Sequence, residues 1–338
     1  MYTLNPKINN QISTWLITMF CIVSFMIVIG GLTRLTDSGL SITEWQLFSG
    51  ILPPLNEEDW ILYFKLYKEI PEFKLQNFNM TMNDFKFIFW WEWIHRILGR
   101  IIGIGFLIPL IYFSFRIKIS KLLNLYLIFL LICFQGFIGW YMVSSGLVDR
   151  VDVSHFRLSA HLFIAFLILS MIFWNYLKVK ENQIISTPIK KGIPFLFLIL
   201  IFVQIIIGAF VSGMDAGKVY NSWPFMGASY FPDDNEFINL FRVSALSDPS
   251  LVQFIHRNLA YVIGFFYLLI FIKIYKDKMI DLYKSINLLG CFIILQIILG
   301  ILTIIYGAQI LLASMHQISS IFLVNSCIYF CHINTKSN

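Results

Sequence analysis

Four of the six histidines in this 338-residue chain fall into two matching pairs. His95 follows Trp91-Glu92-Trp93-Ile94 and precedes Arg96, and His161 follows Arg157-Leu158-Ser159-Ala160. The second pair repeats the pattern, with His256 in Gln253-Phe254-Ile255-His256-Arg257 and His316 in Ser314-Met315-His316-Gln317. Positions 95 and 161 are 66 residues apart, and positions 256 and 316 are 60 apart. Such spacing is too wide for a local metal knuckle but suits two helices separated by a hairpin. Imidazoles facing each other from two helices can hold a flat iron macrocycle between them, one macrocycle per pair.

The elements that must position these histidines are membrane helices. Hydrophobic residues make up 58% of the chain and charged residues 13%, with a mean hydropathy of +0.75. That composition excludes a soluble globule of this length. An apolar run of about 20 residues crosses a ~30 Å hydrocarbon core, and eight such runs are predicted: 14–32, 88–113, 122–143, 156–177, 193–211, 252–275, 286–306 and 309–328. The fold class expected is an all-α polytopic membrane protein. Only Lys7 precedes the first run, and no small-x-small cleavage site follows it, so it reads as a retained helix and not a removed signal peptide. The absence of an Arg/Ser-rich transit segment ahead of it favours a bacterial membrane; an organelle-encoded copy also fits.

Lys and Arg concentrate in cytoplasmic loops. Arg116, Lys118 and Lys121, then Lys178, Lys180, Lys190 and Lys191, then Lys273, Lys276, Lys278 and Lys284 mark three short loops on one side, together with Lys7 and Lys336. Both termini are therefore expected in the cytoplasm. The loops 34–87, 144–155 and 212–251 carry most of the acids and are expected outside. The cytoplasmic loops account for the net charge of +6, so no nucleic-acid partner is implied.

The chain is also duplicated. Gly30-Gly31-Leu32-Thr33-Arg34-Leu35-Thr36-Asp37-Ser38-Gly39 matches Gly208-Ala209-Phe210-Val211-Ser212-Gly213-Met214-Asp215-Ala216-Gly217 at a displacement of 178, which also relates Trp45 to Trp223. Glu92-x2-His95-Arg96 matches Gln253-x2-His256-Arg257, and Gln135-x3-Gly139 matches Gln296-x3-Gly300, both at 161. Each half has four spans, an even number, so the halves share one orientation. The expectation is a parallel tandem repeat of two pseudo-symmetric four-helix bundles, 1–180 and 181–338.

All four paired histidines then fall near the outer ends of their spans. Each is followed four residues later, on the same helix face, by a small residue: Gly99, Ala165, Ala260 and Ser320. Gly103 and Gly264 extend two of these stripes. Small residues beneath a histidine let a planar ring approach the backbone; they also simply permit close helix packing. Structural zinc fits badly, because no Cys or carboxylate completes a tetrahedral set in the second half. Bis-imidazole haem ligation fits. His155, in an outer loop, and His332, at the opposite end of the last span, lack this context and are expected to be structural or solvated. The five cysteines lie in or at the ends of apolar spans, so no disulfide is expected.

These elements together resemble the haem A synthases: Gly30-Gly-x-Thr-Arg34-Leu with Ser38-Gly39-Leu40, Phe89-Trp90-Trp91-Glu92-x-x-His95-Arg96, Arg157-Leu-x-x-His161-Leu, His256-Arg257 and His316-Gln317. The resemblance spans essentially the whole chain. One class of that family carries a cysteine pair in the first outer loop; this chain has none there, and is similar to the cysteine-free class. The resemblance implies a role in cytochrome oxidase assembly, in which the C8 methyl of haem O is oxidised to a formyl group to give haem A, with haem b as cofactor. It further implies haem O synthase and an electron acceptor of unspecified chemistry as partners, in a bacterial inner membrane with the haem sites toward the periplasm. Membrane lipid surrounds the chain, and a homo-oligomer is compatible with it.

Within that frame one difference between the halves bears on chemistry. Glu92 stands where the second half has Gln253. A carboxylate one turn from an axial histidine can move protons and an amide cannot, so the reaction is expected in the first half. His95 and His161 would then hold the substrate haem beside Glu92, and His256 and His316 would hold haem b. Glu92 also forms an ordinary i,i+4 ion pair with Arg96 in this reading. Arg34, Arg96, Arg100 and Arg257 are candidates for haem propionates, since guanidinium binds carboxylates bidentately; as interfacial arginines they equally snorkel. An aromatic segment, 59–68, is expected to form an amphipathic helix, either a lid over an apolar substrate or an interfacial support. The alternative reading is a bis-histidine haem b cytochrome, quinol-linked for example, that transfers electrons without modifying haem. A parallel-repeat transporter would place its polar groups at the bilayer midplane.

Overall fold

The computed structural model describes residues 5–44, 49–148, 150–180 and 188–335. Trp45, the 181–187 part of the second Lys-rich loop and Lys336 lie outside the described residues. Among the described residues there is no strand, only an isolated bridge between Met226 and Ser229. Ten α-helices follow in order: α1 (Pro6–Leu35), α2 (Glu57–Tyr67), α3 (Pro71–Leu75), α4 (Met82–Ser114), α5 (Ile119–Gly146), α6 (His155–Lys180), α7 (Gly192–Gly213), α8 (Pro249–Lys276), α9 (Ile280–Ile305) and α10 (Ile310–Thr335). All but α2 and α3 are long and apolar enough to cross a membrane, eight in number as the sequence predicts. The predicted runs lie inside these helices, except that Tyr306 and Gln309 fall one residue beyond the ends of α9 and α10.

The helices outrun their apolar stretches because local signals cap them further out. Thr81 accepts from the amide of Asp84 while the Asp84 carboxylate accepts from the Thr81 amide, a reciprocal box that starts α4 six residues before its apolar run. Asp248 accepts from the Leu251 amide and Pro249 sits at the first turn of α8. At 33 residues and about 1.5 Å per residue, α4 is roughly 50 Å long. It therefore exceeds a ~30 Å core by several turns.

Lipid, not water, suits the outward faces. On α5, Leu123, Leu127, Leu130, Phe134 and Phe137 are exposed at alternating spacings of four and three, which places them on one stripe. The opposite side buries Leu122, Leu125, Ile128 and Ile132. A continuous apolar stripe of this kind is costly in water and neutral against acyl chains.

By packing, the chain forms two compact units, Cys21–Ala165 and Met1–Phe20 with Phe166–Asn338. In the latter, α7 packs on α8, α8 on α9, α9 on α10, and α10 returns to α7, closing a four-helix bundle. The start of α1 joins it where the rings of Phe20 and Phe173 meet at 5.1 Å. Asn334 adds a two-way backbone clasp, accepting from the Ile189 amide at 2.8 Å and donating to its carbonyl at 2.9 Å.

In the Cys21–Ala165 unit, α2 forms where the amphipathic segment was expected, one or two residues earlier at each end. Its aromatic face packs on the projecting end of α4. Trp60 meets Phe89 edge-on at 5.0 Å, and Phe64 stacks on Phe85 at 5.0 Å. Ile61 and Leu62 remain exposed. Beneath this cluster Tyr67 is fully buried, its hydroxyl donating to Glu72 Oε1 at 3.0 Å. Asn77 donates to both, at 2.8 Å to Tyr67 and 3.2 Å to Glu72.

Burial pushes the Glu72 carboxyl up to about 8 from an ordinary 4.5, and the charges of Glu92, Asp152 and Asp37 add to the rise. The folded loop thus favours the protonated acid, whereas the opened loop ionises normally. Its stabilisation is complete below about 4.5 and falls away as pH rises toward about 8. Amide exchange across residues 64–80, corrected for its intrinsic pH dependence, is expected to lose protection over that interval. In Glu72→Gln the protection is expected to be flat with pH.

Candidate functional site

The two expected histidine pairs are both assembled. His95 and His161 face each other with ring centroids 6.5 Å apart, and His256 and His316 with centroids 6.4 Å apart. Imidazoles on opposite sides of one iron, each nitrogen about 2.0 Å from the metal and each ring centre a further ångström or so out, have centroids roughly 6.3 Å apart. Both pairs match that separation. The rings are inclined at 47° in the first pair and 80° in the second. Among the described residues no group of three or more His, Cys, Asp or Glu could hold a bare metal ion. Each pair offers two ligands only, the number a haem iron needs, since the macrocycle supplies the rest.

What fixes the rings is a set of glycines on neighbouring helices. A methyl group placed on Gly30 of α1 would lie 3.0 Å from Cε1 of His95, and one on Gly139 of α5 would lie 3.0 Å from Cε1 of His161. The same holds for Gly208 of α7 against His256, at 3.0 Å, and Gly300 of α9 against His316, at 3.1 Å. Every imidazole therefore rests edge-on against a glycine, where an added methyl would press the ring by a few tenths of an ångström. The Nδ1 atoms of all four have no hydrogen-bond partner, and Nε2 is the ring nitrogen farther from the glycine. Two of the expected small residues below His95 border open space: nothing approaches the Cβ position of Gly103 within 4 Å, and Gly99 meets only the methyl of Met26 at 3.7 Å. These features fit a flat group lying between the rings.

Glutamines complete the cradle. Gln135, one turn before Gly139, donates to the His161 carbonyl at 3.0 Å. Gln296, one turn before Gly300, donates to the His316 carbonyl at 3.1 Å and lies 3.4 Å from its Nε2. Gln204, one turn before Gly208, donates to the His256 carbonyl at 2.9 Å and lies 3.3 Å from its Nε2. In the sequence, Gln135 with Gln296 and Gly30 with Gly208 are legible only as marks of duplication. A glycine four residues after a glutamine, three times among apolar helices, was the available signal.

Glu92 is buried, 3% exposed, and fully engaged. One carboxylate oxygen accepts from Ser41 Oγ at 2.7 Å and the Ile42 amide at 2.8 Å. The other accepts from Arg96 at 2.6 and 3.1 Å, so the expected ion pair is present. Gln253 occupies the corresponding place in the second half and donates to the Tyr220 carbonyl at 3.1 Å, its own oxygen having no partner.

The arginines hold loops. Arg96 donates to the carbonyls of Ile42 at 2.8 Å and Glu44 at 3.2 Å. Arg257 donates to those of Tyr220 and Ser222, each at 2.9 Å. Residues 42 and 44 correspond to 220 and 222 at the same displacement of 178, so each half grips a loop by the same two carbonyls. Arg34 pairs with Asp37 at 2.6 Å and approaches Asp152 at 3.6 Å. His155 opens α6 with its ring against Phe156, and His332 is buried edge-on to Trp174 at 5.0 Å. Neither joins a pair.

Eight membrane-length helices that carry two pairs of facing imidazoles, each ring backed by glycine and each pair at the separation of haem ligands, define a polytopic membrane protein. A model of the cytochrome oxidase assembly protein family matches residues 13–328. The chain belongs to that family. A protein named heme A synthase from Pelagibacter ubique is 46% identical over the full length of both chains. Proteins of the same name from Rickettsia bellii, 41% identical over 97% of this chain and 99% of that one, and from Maricaulis maris, 41% identical over 93% of each, are also similar. These relatives give no support to the electron-transfer cytochrome as an alternative.

The glycine contacts make a direct prediction. Alanine at Gly208 or Gly300 raises helix propensity by up to about 1 kcal/mol but drives a methyl into the imidazole. Each variant is expected to fold and to bind less haem, read as the ratio of haem absorbance to protein. Haem content equal to the parent's would show that the rings are not held by these glycines.

Proposed function

We propose that this chain is a haem A synthase of a bacterial inner membrane, oxidising the C8 methyl of haem O to a formyl group to give haem A. The observation that carries the reading is the pair of imidazole separations, 6.5 and 6.4 Å, in a chain similar over its whole length to proteins of that name. In this proposal 1–180 is the substrate half and 181–338 the haem b half, with both termini cytoplasmic and the haems toward the outer side, as the Lys and Arg distribution supports.

The macrocycle, when bound, supplies the redox chemistry that side chains lack. His95 and His161 orient haem O from either side, backed by Gly30 and Gly139. Glu92, one turn before His95, handles protons or stabilises positive charge near the reacting methyl. Its four donors, Ser41, the Ile42 amide and two nitrogens of Arg96, fix where that carboxylate stands. His256 and His316 hold haem b, with Gln253 where an acid is not needed. Arg34 and Arg96 in the first half and Arg257 in the second are the residues assigned to haem propionates, and Arg96 and Arg257 also fasten loops. The electrons pass to an acceptor whose chemistry the residues do not specify.

The test is pigment extraction from cells with and without the chain: haem O is expected to accumulate, and haem A to vanish, in its absence. Unchanged haem A would overturn the proposal. Replacing His256 or His316 with Leu is expected to remove most tightly bound haem b while the helices persist by circular dichroism. Glu92→Gln is expected to leave that haem in place and to lose most haem A formation, stalling at haem O or the hydroxylated intermediate. A parent-like pigment ratio in membranes holding equal protein would take Glu92 out of the mechanism.

A further inference from the structure

Three of the four helices that back an imidazole carry glutamine one turn before the glycine: Gln135, Gln204 and Gln296. The fourth, α1, carries Met26 there, at the displacement of 178 that relates Gly30 to Gly208. Gln204 ties α7 to the carbonyl of His256 at 2.9 Å and stands 3.3 Å from its Nε2. Gln296 does the same for His316 and is itself held by Ser319. Both histidines of the second half are thus fastened through their backbone carbonyls. Met26 has no proton to donate. Its methyl instead reaches toward Gly99, 3.7 Å from where a Cβ would stand, on the turn of α4 just below His95.

A buried amide bridging two helices in low dielectric resists separation of those helices. A thioether has three rotatable bonds and fills space without fixing it. The α1 to α4 seam at His95 is therefore the adaptable one, and it belongs to the compartment that must admit one haem and release another.

We propose that Met26 and Gln204 set haem exchange: Met26 lets the first compartment open for substrate and product, and Gln204 locks haem b in the second. Both are positioning residues, acting through His95 and His256. This rests on the assignment of substrate to the first half made above.

The test uses full-length protein in detergent loaded with haem b, which serves as probe for both compartments, and follows transfer to excess apomyoglobin by absorbance. The parent is expected to release haem in two phases, the faster one missing from His95→Leu and the slower one from His256→Leu. Met26→Gln is expected to slow the faster phase about tenfold, the order of one added buried hydrogen bond. Gln204→Met is expected to accelerate the slower phase by a similar factor. Met26→Leu, which conserves volume and adds no donor, is expected to keep the faster phase within about twofold of the parent. A single phase in the parent, an unchanged faster phase in Met26→Gln, or equal slowing by Met26→Leu would overturn the proposal. Protein that binds no haem in either compartment would overturn the haem assignment itself, and is distinguished by the absence of any absorbance to transfer.

Discussion

A histidine that is to face another across the width of a macrocycle has to be stopped from turning away. An imidazole on a helix surface among apolar neighbours has several rotamers open to it and little to choose between them. Here each ring is wedged against a bare stretch of backbone on the next helix, where any Cβ would stand about 3 Å from Cε1. The wedge uses glycine at four points, places the four backing helices within touching distance of the four that carry histidine, and fixes the level at which they meet. The order of helices in the Phe166–Asn338 bundle, each packed on its sequence neighbour and the last on the first, follows from it. Histidine and backing glycine always sit on consecutive membrane helices.

Above that level the fold turns to polar chemistry. Buried arginine in a membrane protein is expensive unless its donors are used, and Arg96 and Arg257 use theirs on carbonyls of the loops that cover each half. Glu92 closes the set in the first half by taking up Arg96, Ser41 and the Ile42 amide together. The carboxylate is thereby part of the wall, one turn from His95. In the second half Gln253 donates to the Tyr220 carbonyl.

Much of this was legible in the residues. Membrane helices announce themselves by length and apolarity, and all eight lay where the hydropathy put them, with ends one to eight residues off, in part because capping at Thr81 and Asp248 extends a helix past its apolar run. The histidine pairs were legible because duplication repeated them. The glycine cradle was not, since Gly30, Gly139, Gly208 and Gly300 read equally as ordinary close-packing residues, and only coordinates show that an imidazole is what they admit. The loop grip of Arg96 and Arg257 was hidden for a different reason. Its acceptors are main-chain oxygens, which have no residue type, so no pattern of side chains at 42, 44, 220 or 222 could announce them. The aromatic helix 57–67 was placed correctly, while its attachment to Phe85 and Phe89 depends on how far α4 projects.

That last kind of grip has an evolutionary reading. An arginine that holds a loop by its carbonyls does not care which side chains the loop displays. Ile42 and Tyr220 differ in size and shape, and Glu44 and Ser222 in charge, yet each pair is seized in the same way. Side chains on these loops can therefore be exchanged without loosening the hold, which in each half is supplied by one guanidinium.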